Sequence, residues 1–412
     1  MKNVPKLRFN GFSDEWEERS LGELFDFKNG LNKEKEFFGK GTPIVNYVDV
    51  YRKNELTSDN ILGLVEVTEK EKENYSVKKG DVFFTRTSET IDEIGYTAVV
   101  TEGVENTVFS GFVLRARPKT DNLSDIFCKY CFSTESARKE IVTKSSYTTR
   151  ALTSGTLLSG MNVFLPKNII EQEKIANFLT KVDKLIEKQD EKVSNLEQYK
   201  KGMMQKIFSQ EIRFKKDDGG EYPEWTVKKL CEVANKFDYG MNSAAIEFDG
   251  ENKYIRITDI DEKSNKYKKD NLVSPDGDLD DKYLVEENDI LFARTGASVG
   301  KTYLYDKNDG KVYFAGFLIR VNVNKENNAK FIFMQTQTEE YRKWIEIMSM
   351  RSGQPGVNSQ EYSTFQVKAP CLEEQDKIAN FLSKIDSIVE KEKEKLEEMR
   401  TWKKGLLQQM FV

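Results

Sequence analysis

Residues 171–208 read EQEKIANFLTKVDKLIEKQDEKVSNLEQYKKGMMQKIF, and residues 374–411 read EQDKIANFLSKIDSIVEKEKEKLEEMRTWKKGLLQQMF. The two stretches align without a gap at a constant offset of 203, Glu171 falling on Glu374. Roughly half the positions are identical, and most others exchange like for like, as in Val182 for Ile385 and Tyr199 for Trp402. That is the mark of a duplicated structural element.

Both copies read as long helices, because apolar residues recur at alternating steps of four and three and neither copy contains proline. The first seam runs through Ile175, Leu179, Val182, Ile186 and Val193, the second through Ile378, Leu382, Ile385, Val389 and Leu396. Polar residues interrupt them at matching places, Gln189 and Lys200 in one, Glu392 and Lys403 in the other. A stripe of this kind, flanked by alternating charges such as Glu390 to Lys395, buries one face and solvates the other. Each helix would be about 55 Å long. The economical partner for each seam is the other one, in an antiparallel intramolecular coiled coil; the alternative is two helices that separately bind other proteins.

At 412 residues the chain has room for two or three domains. It contains no run of about 18 apolar residues. The opening MKNVPKLRFNGFSDEW lacks the apolar core of a signal peptide, so a cytosolic protein is expected. Cys231 and Cys371 stand alone, and only Cys128-Lys-Tyr-Cys131 resembles a motif. With no second pair and no histidine, a zinc site would lack two ligands, and ordinary helix packing is the simpler reading. Absence of histidine also removes the commonest general base, which weakens hydrolase readings. The net charge of −5 supplies no overall attraction to nucleic acid, so DNA binding would depend on local basic clusters or a partner.

The repeat extends beyond the helices. Leu7-Arg-Phe9, Glu15-Trp16 and Leu21 correspond to Ile212-Arg-Phe214, Glu224-Trp225 and Leu230. The β-branched stretch 43–50 stands beside 253–260, with Asp49 and Asp259 shared, and both read as strands. Gly80 to Thr87, GDVFFTRT, parallels Asn288 to Thr295, NDILFART; FSGFVLR at 109–115 parallels FAGFLIR at 314–320. These read as apolar strands ending in arginine. A helical pattern follows, with Arg138-Lys139 opposite Arg342-Lys343, then a polar loop leading back to the long helix.

This arrangement resembles the specificity subunit of Type I restriction-modification systems over essentially the whole chain. The motifs that carry the likeness are Val4-Pro-Lys-Leu-Arg-Phe9 with Glu15-Trp16, the GDVFFTRT and NDILFART blocks, Gly296 to Lys301, and the two EQ-x-KIANFL helices with their KKG. The implied architecture is α/β (α+β): target-recognition domains over 1–168 and 210–371, and spacer helices over 169–209 and 372–412 forming an antiparallel pair. The resemblance further implies a non-catalytic, cytoplasmic bacterial protein that binds double-stranded DNA, each domain reading half of a bipartite target. Two methylation subunits would dock on it and two restriction subunits could join. No cofactor is expected on this chain; S-adenosylmethionine, ATP and magnesium would be carried by the partners.

Residues identical in both domains cannot explain the reading of different half-sites, so the repeat acts as a filter. Arg86-Thr87 and Arg294-Thr295 pass as shared, which suits phosphate contacts, a base common to both half-sites, or strand-end packing. The divergent loops Lys144-Ser145-Ser146-Tyr147-Thr-Thr-Arg150 and Arg351-Ser352-Gly-Gln354-Pro-Gly-Val-Asn358 carry side chains suited to base edges, or form plain solvated loops. The segment Gly296-Ala-Ser-Val-Gly300-Lys301 imitates a phosphate-binding loop, but it has three residues between its glycines where four are needed. Lys301 near DNA phosphate, or a simple glycine turn, is the better reading. Nothing matches the Asn/Asp-Pro-Pro-aromatic motif of adenine methyltransferases, since no two prolines are adjacent.

Overall fold

Two buried glutamate-glutamine pairs fasten the long helices to the rest of the chain. In the computed structural model, which describes residues 3–412, the helices span Ile169–Phe208 and Leu372–Met410. Arg8 donates to both carboxylate oxygens of Glu171, at 2.7 and 2.9 Å, and the Trp16 indole donates at 3.4 Å. Arg213 and Trp225 repeat this on Glu374, at 3.4, 3.1 and 3.1 Å. Gln172 donates to the Pro166 carbonyl and accepts from Ser124 N, both at 2.9 Å. Gln375 does the same with Pro370 and Asn328, again at 2.9 Å. A buried carboxylate is tolerated only when paired and hydrogen-bonded, so the shared Arg…Trp…Glu-Gln residues form one structural fastener.

The chain divides into two compact units, one holding the residues up to Glu191 with Lys393–Val412, the other Lys192–Glu392. Each long helix therefore contributes one half to each unit. In the first unit Leu179 and Val182 are buried with Leu406, Met410 and Phe411, and Ile186 packs half-buried against them. In the second, Leu382, Ile385 and Val389 are buried with Met204, Ile207 and Phe208. Within each unit the start of one helix thus lies against the end of the other, an antiparallel pairing. Lys403 meets Asp183 at 2.5 Å in the first unit, and Lys200 meets Asp386 at 2.5 Å in the second. The seam lysines are therefore the cationic ends of one ion pair present twice at the repeat offset. Burial, and then the Asp183 carboxylate, push the Tyr130 hydroxyl up, so it stays a donor to Asp183 at 2.9 Å.

A central sheet in each domain separates two apolar layers. In the first domain the strand order is Phe25–Asn29, Val113–Pro118, Val82–Thr85, Thr97–Val100, Glu55–Leu56. All pairs are antiparallel except the last. In the second it is Ala234–Tyr239, Leu318–Val323, Asp289–Ala293, Thr302–Leu304, all antiparallel. Side chains alternate across a strand. Val82 and Phe84 therefore join the core that includes Leu179, while Phe83 packs with Val45 and Phe109 on the other face. Ile290 and Phe292 join Leu382 in the same way, and Leu291 and Ala293 join Ile255 and Phe314. A strand buried on both faces reads as a continuous apolar run, as these do.

Three sequence expectations change. The stretches 43–50 and 253–260 are not strands throughout: they end at Val45 and Ile255 and turn into Tyr47–Val50 and Ile257–Asp259. Asp49 and Asp259 cause the turn, their carboxylates accepting from Asn46 N at 2.7 Å and Arg256 N at 2.9 Å; this local cap outweighs β-branched propensity. Arg115 and Arg320 lie inside strands rather than at their ends and are buried. Arg115 donates to Ser76 O at 2.6 Å and Arg320 to Asp238 at 2.5 Å. The loop expected at 144–150 is largely a hairpin, with Ser146–Tyr147 paired to Ala151–Leu152.

Candidate nucleic-acid interface

Arg86 and Arg294 occupy the same place in their domains, just beyond the central strands Val82–Thr85 and Asp289–Ala293. Their backbone amides donate to Phe112 O at 3.1 Å and Phe317 O at 3.0 Å. Their carbonyls accept from Thr153 N at 3.0 Å and Val357 N at 2.9 Å. The backbone is fixed on both sides, so the side chains leave from a rigid base. Each guanidinium makes one long hydrogen bond, at 3.4 Å, to Gly111 O or Gly316 O. Arg294 also lies over the Tyr239 ring at 4.9 Å.

What distinguishes these two arginines is that they have neither a counter-ion nor a short side-chain hydrogen bond. Among the described residues neither has a carboxylate within ion-pair distance, whereas Arg8, Arg117, Arg213 and Arg256 all do. Arg115 and Arg138 also lack one, but they turn onto backbone carbonyls at 2.6–2.9 Å. Partly exposed, unneutralised guanidinium groups are suited to phosphate or to bidentate base contact.

The divergent segments flank these arginines. In the first domain the hairpin strand Ala151–Leu152 pairs with Thr87–Ser88, setting Leu152 opposite Thr87. This brings Ser146 and the 56% exposed Tyr147 to the Arg86-Thr87 corner. Lys144 ends the helix Glu135–Lys144, Ser145 turns its hydroxyl onto Ile141 O at 2.7 Å, and Arg150 reaches Glu89 at 3.3 Å with both side chains largely exposed. In the second domain Thr295 bridges Gly356, and Gly296 N donates to Pro355 O at 3.0 Å. Thr295 and Gln354 then border a cleft of about 460 Å³ with Asn242, Arg256 and Phe317.

Other residues singled out from sequence are held elsewhere. Lys301, only 11% exposed, donates to Ile260 O at 3.3 Å and pairs with Glu262 at 3.4 Å. Gly300 sits at φ +85°, where a Cβ would fall 2.7 Å from Ile345, so the Gly296–Lys301 segment is a tight turn under a helix and not a phosphate cradle. Arg351 is bonded to Glu361. Asn358 caps the helix Ser359–Ser363, accepting from Glu361 N at 2.9 Å, while Ser352 is exposed. Sequence reasoning missed Asn242, Arg256 and Phe317. The available signal was Gly30-Leu-Asn32 matching Gly240-Met-Asn242, and Phe112 matching Phe317.

Cys128 and Cys131 lie together in the core, and burial pushes the Cys131 thiol well up. Among the described residues no group of three His, Cys, Asp or Glu side chains is placed to hold a metal, and no helix is long and apolar enough to cross a membrane.

The family model described as the Type I restriction modification DNA specificity domain matches residues 13–198 and 222–400. A putative type I restriction enzyme specificity subunit of Methanocaldococcus jannaschii is 25% identical over 97% of this chain and 94% of its own. In fold, the chain is similar to the S subunit of a Type I restriction-modification system from M. genitalium, with a TM-score of 0.59, 16% identity, and 99% of both chains covered. A chain from a structure addressing complex assembly of the type I restriction-modification system gives 0.59 and 14% over 96% and 97%.

Proposed function

The chain belongs to the Type I restriction-modification DNA specificity family, and from that premise we propose that its two domains each read one half of a bipartite duplex target. It is a recognition component, not a catalytic one. The observation that carries the reading is the pair of uncompensated arginines, Arg86 and Arg294, held by matching backbone bonds in two domains and bordered by segments that differ. Shared cations position the backbone; unlike neighbours select unlike bases. Two domains of different sequence call for two different half-sites.

The antiparallel helices fix the gap between the half-sites. Two methylation subunits carrying S-adenosylmethionine modify adenines in the bound target, and two restriction subunits using ATP and magnesium complete the assembly. The complex works in the bacterial cytoplasm.

Co-expression with the cognate methylation subunit, followed by genome-wide mapping of methylated adenine by single-molecule sequencing, tests this. Two short unlike half-sites around a fixed gap are expected. A correctly assembled complex that adds no methylation would overturn the reading.

A further inference from the structure

Both domains display a phenylalanine on a tight turn beside the uncompensated arginine. Phe112 is 64% exposed and Phe317 62%. Each turn is closed by a backbone bond, Val113 N to Ser110 O at 3.1 Å and Leu318 N to Ala315 O at 2.8 Å. It is braced by a second segment, Leu31 N donating to Phe109 O at 2.8 Å and Met241 N to Phe314 O at 2.9 Å. The brace requires glycine: a Cβ on Gly30 would fall 2.1 Å from Ser110 O, and one on Gly240 would fall 2.2 Å from Ala315 O. The same segments present Asn32 and Asn242, both exposed. The chain thus builds, twice, a rigid mount that exposes an aromatic ring.

Exposed phenylalanine at a turn tip gains nothing from folding, since burial is what stabilises an aromatic side chain. Its recurrence in two domains whose neighbouring loops, 144–150 and 351–358, diverge points to a common task. Two neighbours indicate the occupant. The arginine whose amide bonds the same phenylalanine's carbonyl has no carboxylate partner, which suits an anion. Phe317 also forms one wall of the cleft whose other walls carry Asn242, Thr295 and Gln354, donors and acceptors of base-edge type. An exposed ring, amide side chains bordering its cleft and an open guanidinium bonded to the same turn match a stacked, anionic, hydrogen-bonding polymer better than an apolar protein face.

We infer that Phe112 and Phe317 are base-stacking wedges, one per domain, each inserting at a base step of its half-site while Arg86 or Arg294 holds a neighbouring phosphate. This rests on the DNA-reading function proposed above and adds a component that reads no sequence. Every base has a π-face, so the contact tolerates any step, and apolar insertion partly unstacks and kinks the duplex. Both half-sites are thereby deformed alike, although they differ in sequence.

The test uses the complex with its methylation subunit and duplexes carrying 2-aminopurine through one half-site at a time. Wild type is expected to bind with a steep salt dependence and to raise fluorescence at one step in each half-site. Phe112→Ala should abolish the rise in one half-site and Phe317→Ala in the other, each weakening binding about tenfold. The salt slope should not change, because no phosphate contact is lost. Phe→Trp should retain both signals. Unchanged affinity and fluorescence in both alanine variants would overturn the inference. So would loss of the methylation subunit from the complex, which would make these rings a protein-docking surface. Absence of salt-dependent binding by the wild-type complex would instead remove the DNA-reading function itself.

Discussion

At the scale of single residues, the two arginines and their flanking side chains should separate by salt. Arg86→Ala and Arg294→Ala each delete one candidate phosphate contact, so the slope of log affinity against log salt should fall by about one unit in each variant. Gln354→Ala, at the rim of the second-domain cleft, should leave the slope alone and relax selection in one half-site by about 1–3 kcal/mol; methylation of single-base target variants would read this out. Loss of affinity with an unaltered slope in both arginine variants would make them packing residues. The repeat made these arginines visible in sequence, because it marks what both domains share. It did not reveal partners. Lys301 and Arg351 look available in sequence, and only the fold supplies Glu262 and Glu361. Asn358 reads in sequence as a base-contact candidate although Asn-Ser-Gln-Glu has capping-box spacing, and the fold uses it to start a helix.

Among the elements, the long helices were plain from their apolar period, and what sequence obscured was the meaning of the polar interruptions. Lys200 and Lys403 break the seam in sequence yet meet Asp386 and Asp183, residues far along the chain whose pairing depends on the antiparallel register. Reversing one charge, Lys200→Asp, should destabilise the pairing by about 1 kcal/mol, a modest figure because both side chains are partly solvated. Adding Asp386→Lys should restore most of it, and a denaturant-based double-mutant cycle would measure the coupling. A double variant no more stable than the sum of the singles would show that the register does not use this pair. The helix starts should be costlier to damage. Glu171→Ala leaves Arg8 and the Trp16 indole without an acceptor, which should lower stability by about 2–4 kcal/mol. The short strands were harder to delimit, because β-branched residues at 43–50 and 253–260 favour extension while one aspartate in each closes a turn.

For the whole molecule, the proposed bipartite reading requires something to set the distance between half-sites. The division of the chain falls between Glu191 and Lys192 on one helix and between Glu392 and Lys393 on the other. Seven residues inserted at both points would keep each unit's own pairings and preserve the apolar phase. One heptad adds about 10 Å of helix, or about three base pairs at 3.4 Å each. It rotates the helix seam by only about 20°, whereas three base pairs turn the duplex by about 100° at about 10.5 per turn. Length and phase then disagree. A single heptad pair should therefore move the preferred gap by about three base pairs with weakened methylation. Three heptads, about 31 Å or close to one full turn of DNA, should restore strong methylation at a gap about nine base pairs wider. A ladder of duplexes with stepped gaps, scored by methylation, distinguishes this periodic response from its rivals. Were the gap unchanged at every insertion length, the helices would serve assembly alone. A smooth widening without periodic loss would mean that the helix pair sets distance while torsion is absorbed elsewhere, in the DNA or at the fasteners on Glu171 and Glu374.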